Sequence, residues 1–202
     1  MENKEKKQKV KEFFKTQITD NTISELCNET GIKESDIKSL IYKYAHLYFV
    51  DNKESDLQIW WNNCNSDLQS CIKKAIDCEH DPKKEDFENI TKLEKLNCEH
   101  FDLKDITPLF RLINLKSLNL RNTSVLNIEP LSKLDKLKNL DLTFCLVKSI
   151  KPIWDIKLDS LQLKKTSKLP YEEIKQYIHE HPNCKVDWDY ADSTHWEDMI
   201  NN

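Results

Sequence analysis

The sequence predicts an α/β solenoid: a short repeat unit with parallel strands on its concave face, preceded by an all-α N-terminal domain. Three observations predict it. Leu112, Leu134 and Ile156 mark a 22-residue step through the second half of the chain. Every apolar column between those marks recurs at the same step, and so does a proline. Residues 1–83, by contrast, have helical composition and little strand character. A fixed period of this length means repeats stacked on one another, because one repeat alone cannot bury its apolar face.

The helical part comes first. Val10, Phe13, Phe14 and Ile18 recur near helical spacing. Asp20 or Thr22 can cap a helix carrying Ile23, Leu26 and Cys27, and Gly31 supplies its stop. Ser35 can start another, with Ile37, Ile41, Tyr44, Ala45 and Tyr48. A further helix is expected from about Ser55 to Ile76, holding Leu57, Trp60, Trp61, Cys64, Leu68, Cys71 and Ala75. Asp81-Pro82 then breaks the chain before the repeats. Leu26, Cys27, Gly31, Ile32, Ile37 and Ile41 also fit a helix-turn-helix spacing. A plain helical hairpin needs the same residues, and Glu34 and Asp36 at the start of the second helix would face DNA phosphates unfavourably.

The repeats read in register. The first opens at Ile90 and closes on Ile106-Thr107-Pro108-Leu109. The second runs from Leu112 through Leu115, Leu118, Leu120, Thr123, Val125 and Ile128 to Pro130-Leu131. The third runs from Leu134 through Leu137, Leu140, Leu142, Cys145, Val147 and Ile150 to Pro152-Ile153. A fourth, one residue shorter, keeps Ile156, Leu161, Leu163 and Thr166. Alternation at Leu118-x-Leu120 and Leu140-x-Leu142 is that of a short strand, and each proline stands outside the strand ladder, where its missing N–H does no harm. Cys98 and Cys145 occupy apolar columns and read as small buried hydrophobes.

The pattern Leu-x-x-Leu-x-Leu-x-x-(Thr/Cys)-x-Val-x-x-Ile-x-Pro-Leu resembles the bacterial leucine-rich repeat proteins of the internalin-like kind, over about residues 84–187. Two flanks add to it: Trp60-Trp61 with the helical stretch after them, and Tyr171-Glu172-Glu173-Ile174 followed by His181-Pro182-Asn183-Cys184-Lys185-Val186. The resemblance implies that the last stretch is a capping helix and a final strand. The usual Asn at the turn after the strand is missing; Phe101, Thr123, Cys145 and Thr166 stand there. The chain thus divides into a helical N-terminal domain (1–83), a leucine-rich repeat domain with its C-terminal cap (84–186) and an acidic-aromatic tail (187–202).

Because side chains alternate along a strand, the polar residues between the strand leucines share the concave face. Register sorts them into columns: Lys95, Ser117, Asn139 and Ser160; Asn97, Asn119, Asp141 and Gln162; Glu99, Arg121, Thr143 and Lys164. His100, Asn122, Phe144 and Lys165 lie beside them. Such residues form either the solvated face of a sheet or a partner surface. Arg121 and Phe144 are of types enriched at interface hot spots, unless Phe144 tucks into the repeat edge. In the tail, Trp188 and Trp196 can cap the open end of the solenoid while Asp187 and Asp189 offer charge to a basic partner. The candidate partner-binding set is therefore Asn97, Glu99, His100, Asn119, Arg121, Asp141, Thr143, Phe144, Gln162, Lys164, Asp187 and Asp189.

Composition narrows the function. A single Gly leaves no material for a phosphate-cradling loop, and no local motif assembles a catalytic set, so no enzyme and no cofactor are expected. Cys64, Cys71 and Cys78 recur every seven residues with His80 close by; that step is a core stripe on a helix rather than the usual metal-ligand spacing, and no metal is expected. The absence of a signal-like or membrane-spanning apolar run, with an odd number of cysteines, points to the cytosol. Net charge is −4 overall, distributed as −4 over residues 1–89, +4 over 90–180 and −4 over 181–202, which disfavours general nucleic-acid binding. A non-catalytic protein-interaction module is the expectation, with an immunity protein that occludes a basic toxin domain as its concrete form. The alternative is a DNA-binding regulator whose repeats sense a partner.

Overall fold

The computed structural model describes residues 54–166 and 168–189, together with Cys27, Asn28, Gly31 and Lys33. The helices expected from Val10 to Ile18 and from Ser35 to Tyr48, most of the helix-turn-helix pattern, and Trp196 lie outside the described residues. Gly31 does adopt a left-handed φ of 65°, and its N–H bonds back to Cys27 O at 2.8 Å, which is how a glycine closes a helix.

Three helices precede the first repeat: α1 (Glu54–Asn62), α2 (Ser66–Ala75) and α3 (Lys84–Thr91). The sequence pattern suggested one helix from Ser55 to Ile76; the chain instead breaks at Asn63–Asn65. Asn65 is the reason. Its backbone is extended, and its side chain accepts the Leu68 N–H, so it starts a new helix as an N-cap. Its amide also donates to Asp105 O at 2.9 Å, tying the break to the first repeat.

Five parallel strands follow among the described residues, in the order β1 (Lys95–Asn97), β2 (Ser117–Asn119), β3 (Asn139–Asp141), β4 (Ser160–Gln162) and β5 (Lys185–Asp187). Lys95 pairs with Ser117, Ser117 with Asn139, Asn139 with Ser160 and Ser160 with Lys185. Leu96, Leu118, Leu140 and Leu161 therefore stack behind one another, each at most 2% exposed. Short 3-10 turns over Thr107–Arg111, Glu129–Lys133 and Lys151–Ile153 return the chain on the convex side, each with Pro in its first two positions. That is where a residue with fixed φ and no N–H fits a helical turn.

Where the repeats lack Asn at the turn, other donors serve. The Thr123 hydroxyl donates to Leu120 O at 2.7 Å, and the Thr166 hydroxyl to Leu163 O. Cys145 Sγ reaches the same Leu120 carbonyl at 2.9 Å. Each keeps a buried carbonyl paired, which is the requirement the position imposes.

Both ends are closed. Leu57, Trp60, Trp61, Leu68, Cys71 and Ile72 belong to the same buried cluster as the repeat leucines, and Trp60 Nε1 donates to Pro108 O at 2.9 Å. Residues 54–83, grouped with the helical domain by composition, thus pack as the first cap of the solenoid. At the far end α4 (Tyr171–Glu180) buries Ile174 and Tyr177, and Trp154 meets Tyr177 edge-on at 5.4 Å. Asp187, assigned by sequence to the tail, is the last residue of β5. Trp188 is half-buried against the core and lies 5.6 Å from Tyr171, a capping position. The interleaved helix and strand are those the resemblance implied.

Candidate functional site

The concave columns emerge as the register requires, but they are not uniform. In the column of Asn97, Asn119, Asp141 and Gln162, three side chains bend the end of their own strand. Asn97 Oδ1 accepts the Glu99 N–H at 3.0 Å, Asn119 Oδ1 the Arg121 N–H at 2.9 Å, and Asp141 Oδ1 the Thr143 N–H at 2.8 Å. These are the two-residue back-bonds that short Asn and Asp side chains make in turns. Gln162, one methylene longer, instead bonds Ser160 Oγ at 3.3 Å.

The next column carries Glu99, Arg121 and Lys164, each beside an opposite charge. Glu99 pairs with Arg121 at 3.4 Å and approaches His100 Nε2 at 3.4 Å. Lys164 pairs with Asp187 at 2.9 Å, and Lys165 with Asp189 at 3.3 Å. The bond to Asp187, more than its charge alone, holds the Lys164 ammonium above its usual pKa. Glu99, Asp187 and Asp189 therefore each have a cation beside them, whereas Asp141 is engaged by the Thr143 N–H. Thr143 is a correction: it is 3% exposed and offers no surface to a partner. Its side chain is short, and Arg121 and Lys164 flank it in the same column, near enough for their charges to act on one another.

Past the strand ends the chain turns through left-handed backbone at His100 (φ 67°), Asn122 (54°), Phe144 (60°) and Lys165 (58°). Asn122 Nδ2 lies 2.7 Å from His100 Nδ1. Phe144 does not tuck into the repeat edge; it is 48% exposed, with the Arg121 guanidinium 5.9 Å from its ring centroid. A cation over an aromatic face holds both groups in place. Leu126 and Leu146 are also exposed and sit on neighbouring repeats joined by the Leu146 N–H to Val125 O bond at 3.1 Å. Column counting misses them because they follow the strand; the available signal was an apolar residue in a repeat position that Ser124 and Lys148 fill elsewhere.

The seven-residue cysteine stripe separates. Cys64 Sγ donates to Trp60 O at 3.4 Å, and burial pushes its thiol pKa well up. Cys98, hydrogen-bonded to Cys71 and buried, is likewise pushed far up. Only Cys78 stands beside His80, and the group that joins them is Asp86, which spacing did not suggest. On the convex side, an open groove of about 740 Å³ lined by Leu126, Lys133, Lys148 and Asp155 among others lies between the second and third repeats. Its wall is mostly charged and small polar side chains, and it shares nothing with the concave columns.

No protein-family model matches the chain, and no curated protein matches it. Solved structures do. Internalin C2 of Listeria monocytogenes is 20% identical, with a TM-score of 0.52, over 64% of this chain and 55% of its own. An internalin, InlF, of the same organism is 18% identical, with a TM-score of 0.41, over 64% and 45%. The chain spans about half the length of these two proteins. Stacked parallel strands, 3-10 returns and capped ends, together with the likeness to internalin C2, make this a chain with the fold of the bacterial leucine-rich repeat proteins.

Proposed function

We propose that the chain is a non-catalytic protein-interaction module that seats a partner on its concave face, and that it serves as an immunity protein occluding a cognate toxin domain. The observation that carries this reading is the Arg121–Phe144 pair: a half-exposed aromatic ring under a guanidinium, at the rim of a sheet of small polar side chains. Aromatic and Arg side chains of this kind anchor interfaces. Around them the ion pairs of Glu99, Asp187 and Asp189 are solvent-facing, and such pairs are worth only about 0–1 kcal/mol each. A basic partner could therefore take over these carboxylates at small cost. Action in the cytosol is part of the proposal; the seven free thiols suit a reducing compartment.

The test is co-expression with a basic toxin domain whose gene neighbours that of this chain. Retention at physiological salt and neutralisation of the toxin are expected. Phe144→Ala and Arg121→Ala should each weaken binding by about 2 kcal/mol or more, roughly thirtyfold, while Lys133→Ala on the convex side leaves it unchanged. Absence of both retention and neutralisation, or undiminished binding by Phe144→Ala, would refute it.

A further inference from the structure

The link between α2 and α3 carries a side-chain cluster that the concave face does not use. After α2 the chain turns at Asp77, φ 54°. The Cys78 N–H then bonds back to Lys73 O at 2.9 Å and the Asp77 N–H to Lys74 O at 3.4 Å. This paired back-bond is a Schellman helix end, and it pins the Cys78 backbone. Asp86 stands in the first turn of α3, its Oδ2 held by the Lys83 N–H at 2.8 Å. His80 lies between the two. Its Nδ1 is 3.5 Å from Cys78 Sγ, 3.8 Å from Asp86 Oδ2 and 2.9 Å from the Asp81 carbonyl oxygen. The three side-chain donor atoms all lie within 4.8 Å of one another.

A thiol, an imidazole nitrogen and a carboxylate oxygen thus converge, with a backbone carbonyl beside them. In a tetrahedral zinc site, bond lengths of about 2.3 Å to sulfur and about 2.0–2.1 Å to nitrogen and oxygen place neighbouring donors about 3.4–3.6 Å apart. Two of the three separations, 3.5 and 3.8 Å, need adjustments of only a few tenths of an ångström, and the third, from the Cys78 sulfur to the Asp86 carboxylate, lies within 4.8 Å and closes as the ion draws the two donors in. An ion pair between His80 and Asp86 accounts for the nitrogen and the carboxylate. The Cys78 thiol, 9% exposed, reaches the His80 carbonyl oxygen at 3.3 Å, and that local bond also brings its sulfur to the same ring nitrogen. Lys73 competes little, since its ammonium is directed to the Asp81 carboxylate at 3.3 Å, leaving the Asp81 carbonyl on the cluster side.

We infer that Cys78, His80 and Asp86 bind a zinc-class divalent cation, with the Asp81 carbonyl or a water completing four-coordination. Binding forms a metal–thiolate bond and releases the Cys78 proton to solvent. From neutral His80, the hydrogen on Nδ1 that bonds to Asp81 O is displaced and the outward Nε2 carries it instead, so one proton leaves per metal; from the protonated ring of the ion pair a second proton leaves to solvent, and in neither case does an electron move. The ion would staple the end of α2 to the start of α3 within the N-terminal cap.

The reduced, chelator-treated full chain is titrated with Co²⁺ and then Zn²⁺. One equivalent of Co²⁺ should give a thiolate charge-transfer band with tetrahedral visible bands, and one equivalent of Zn²⁺ should erase both. Cys78→Ser and His80→Gln should each weaken binding by at least about tenfold, and Cys184→Ser should not. Should Cys78→Ser fail to fold, the exposed His80 decides through His80→Gln. No such spectrum, or one that persists in His80→Gln, overturns the assignment and leaves a His80–Asp86 ion pair only.

Discussion

Replacing Trp60 tests whether α1 and α2 are part of the solenoid or a separate unit. Trp60 is 3% exposed, and its indole N–H donates to Pro108 O at 2.9 Å across 48 residues of chain. Pro108 is itself buried in the first 3-10 return. Trp60→Phe keeps an aromatic ring but leaves that carbonyl without its donor, a loss of about 1–3 kcal/mol. Trp60→Ala adds the cavity and should cost about 3–5 kcal/mol or more, a large share of the stability of a domain this size. Urea unfolding is followed by two probes: far-ultraviolet circular dichroism and alkylation of Cys145. That thiol sits in the third repeat, 1% exposed, and its burial holds its pKa up, so it reacts only once the repeats open. Both probes should move to lower urea together, Ala further than Phe, with an unchanged slope. Were Cys145 protection to stay at its wild-type midpoint while the dichroism shifts, the helices would be a separate unit and the shared-core reasoning would fail.

Two further outcomes follow from the turns and the C-terminal cap. Thr166→Val removes the hydroxyl bond to Leu163 O, leaving that carbonyl only the Thr166 N–H at 3.3 Å, and should destabilise by about 0.5–1.5 kcal/mol in urea, whereas Thr166→Asn, restoring a donor of the usual kind, should lie closer to wild type; equal losses would refute the capping role. Glu180 accepts bonds from Gln176 at 2.8 Å and from the Trp154 indole at 2.7 Å, and these hold its carboxyl below the usual glutamate range. A lowered folded pKa means a contribution that is fully present above the unfolded value of about 4.3 and is lost as pH falls through the folded one. The melting temperature of wild type should therefore fall more steeply than that of Glu180→Gln as pH drops through the range below about 4.3; parallel curves would refute this.

The repeat half was legible because a fixed step carries register with it. Once Leu118 and Leu140 are aligned, Lys95, Ser117, Asn139 and Ser160 must stand side by side, and they pair in that order. The helical half was less legible. Cys64 and Leu68 continue the apolar stripe of Trp60 and Trp61, so periodicity runs straight through the break; only Asn65 before Ser66 marks it, and a cap residue is a weaker signal than an apolar stripe. Thr143 shows another limit. Alternation assigns it to the concave side, but it is 3% exposed, and alternation says which way a side chain points without saying how deeply it sits. Asp86 shows a third. Its approach to Cys78 and His80 depends on where one helix ends and the next begins, which no fixed spacing encodes.

The row of left-handed residues ties fold to proposed function. A residue with a side chain pays about 1–2 kcal/mol for this backbone, and Asn, Asp and His are the types that tolerate it best. His100 and Asn122 fit that preference; Phe144 and Lys165 do not. Folding alone would favour Asn or Gly at both, and the chain's one Gly is placed elsewhere, at Gly31. Lys165 has a local use, its pairing with Asp189 at 3.3 Å. Phe144 gains only a partly buried ring and the Arg121 guanidinium at 5.9 Å, an exposed contact worth about 0.5–1 kcal/mol, which does not clearly exceed the backbone cost. An aromatic ring kept half in water, on strained backbone, in a position where a neighbouring repeat manages with Asn, is what the interaction proposal expects of a contact residue. This is why Phe144, rather than the more numerous ion pairs around it, is the residue on which the interaction proposal stands.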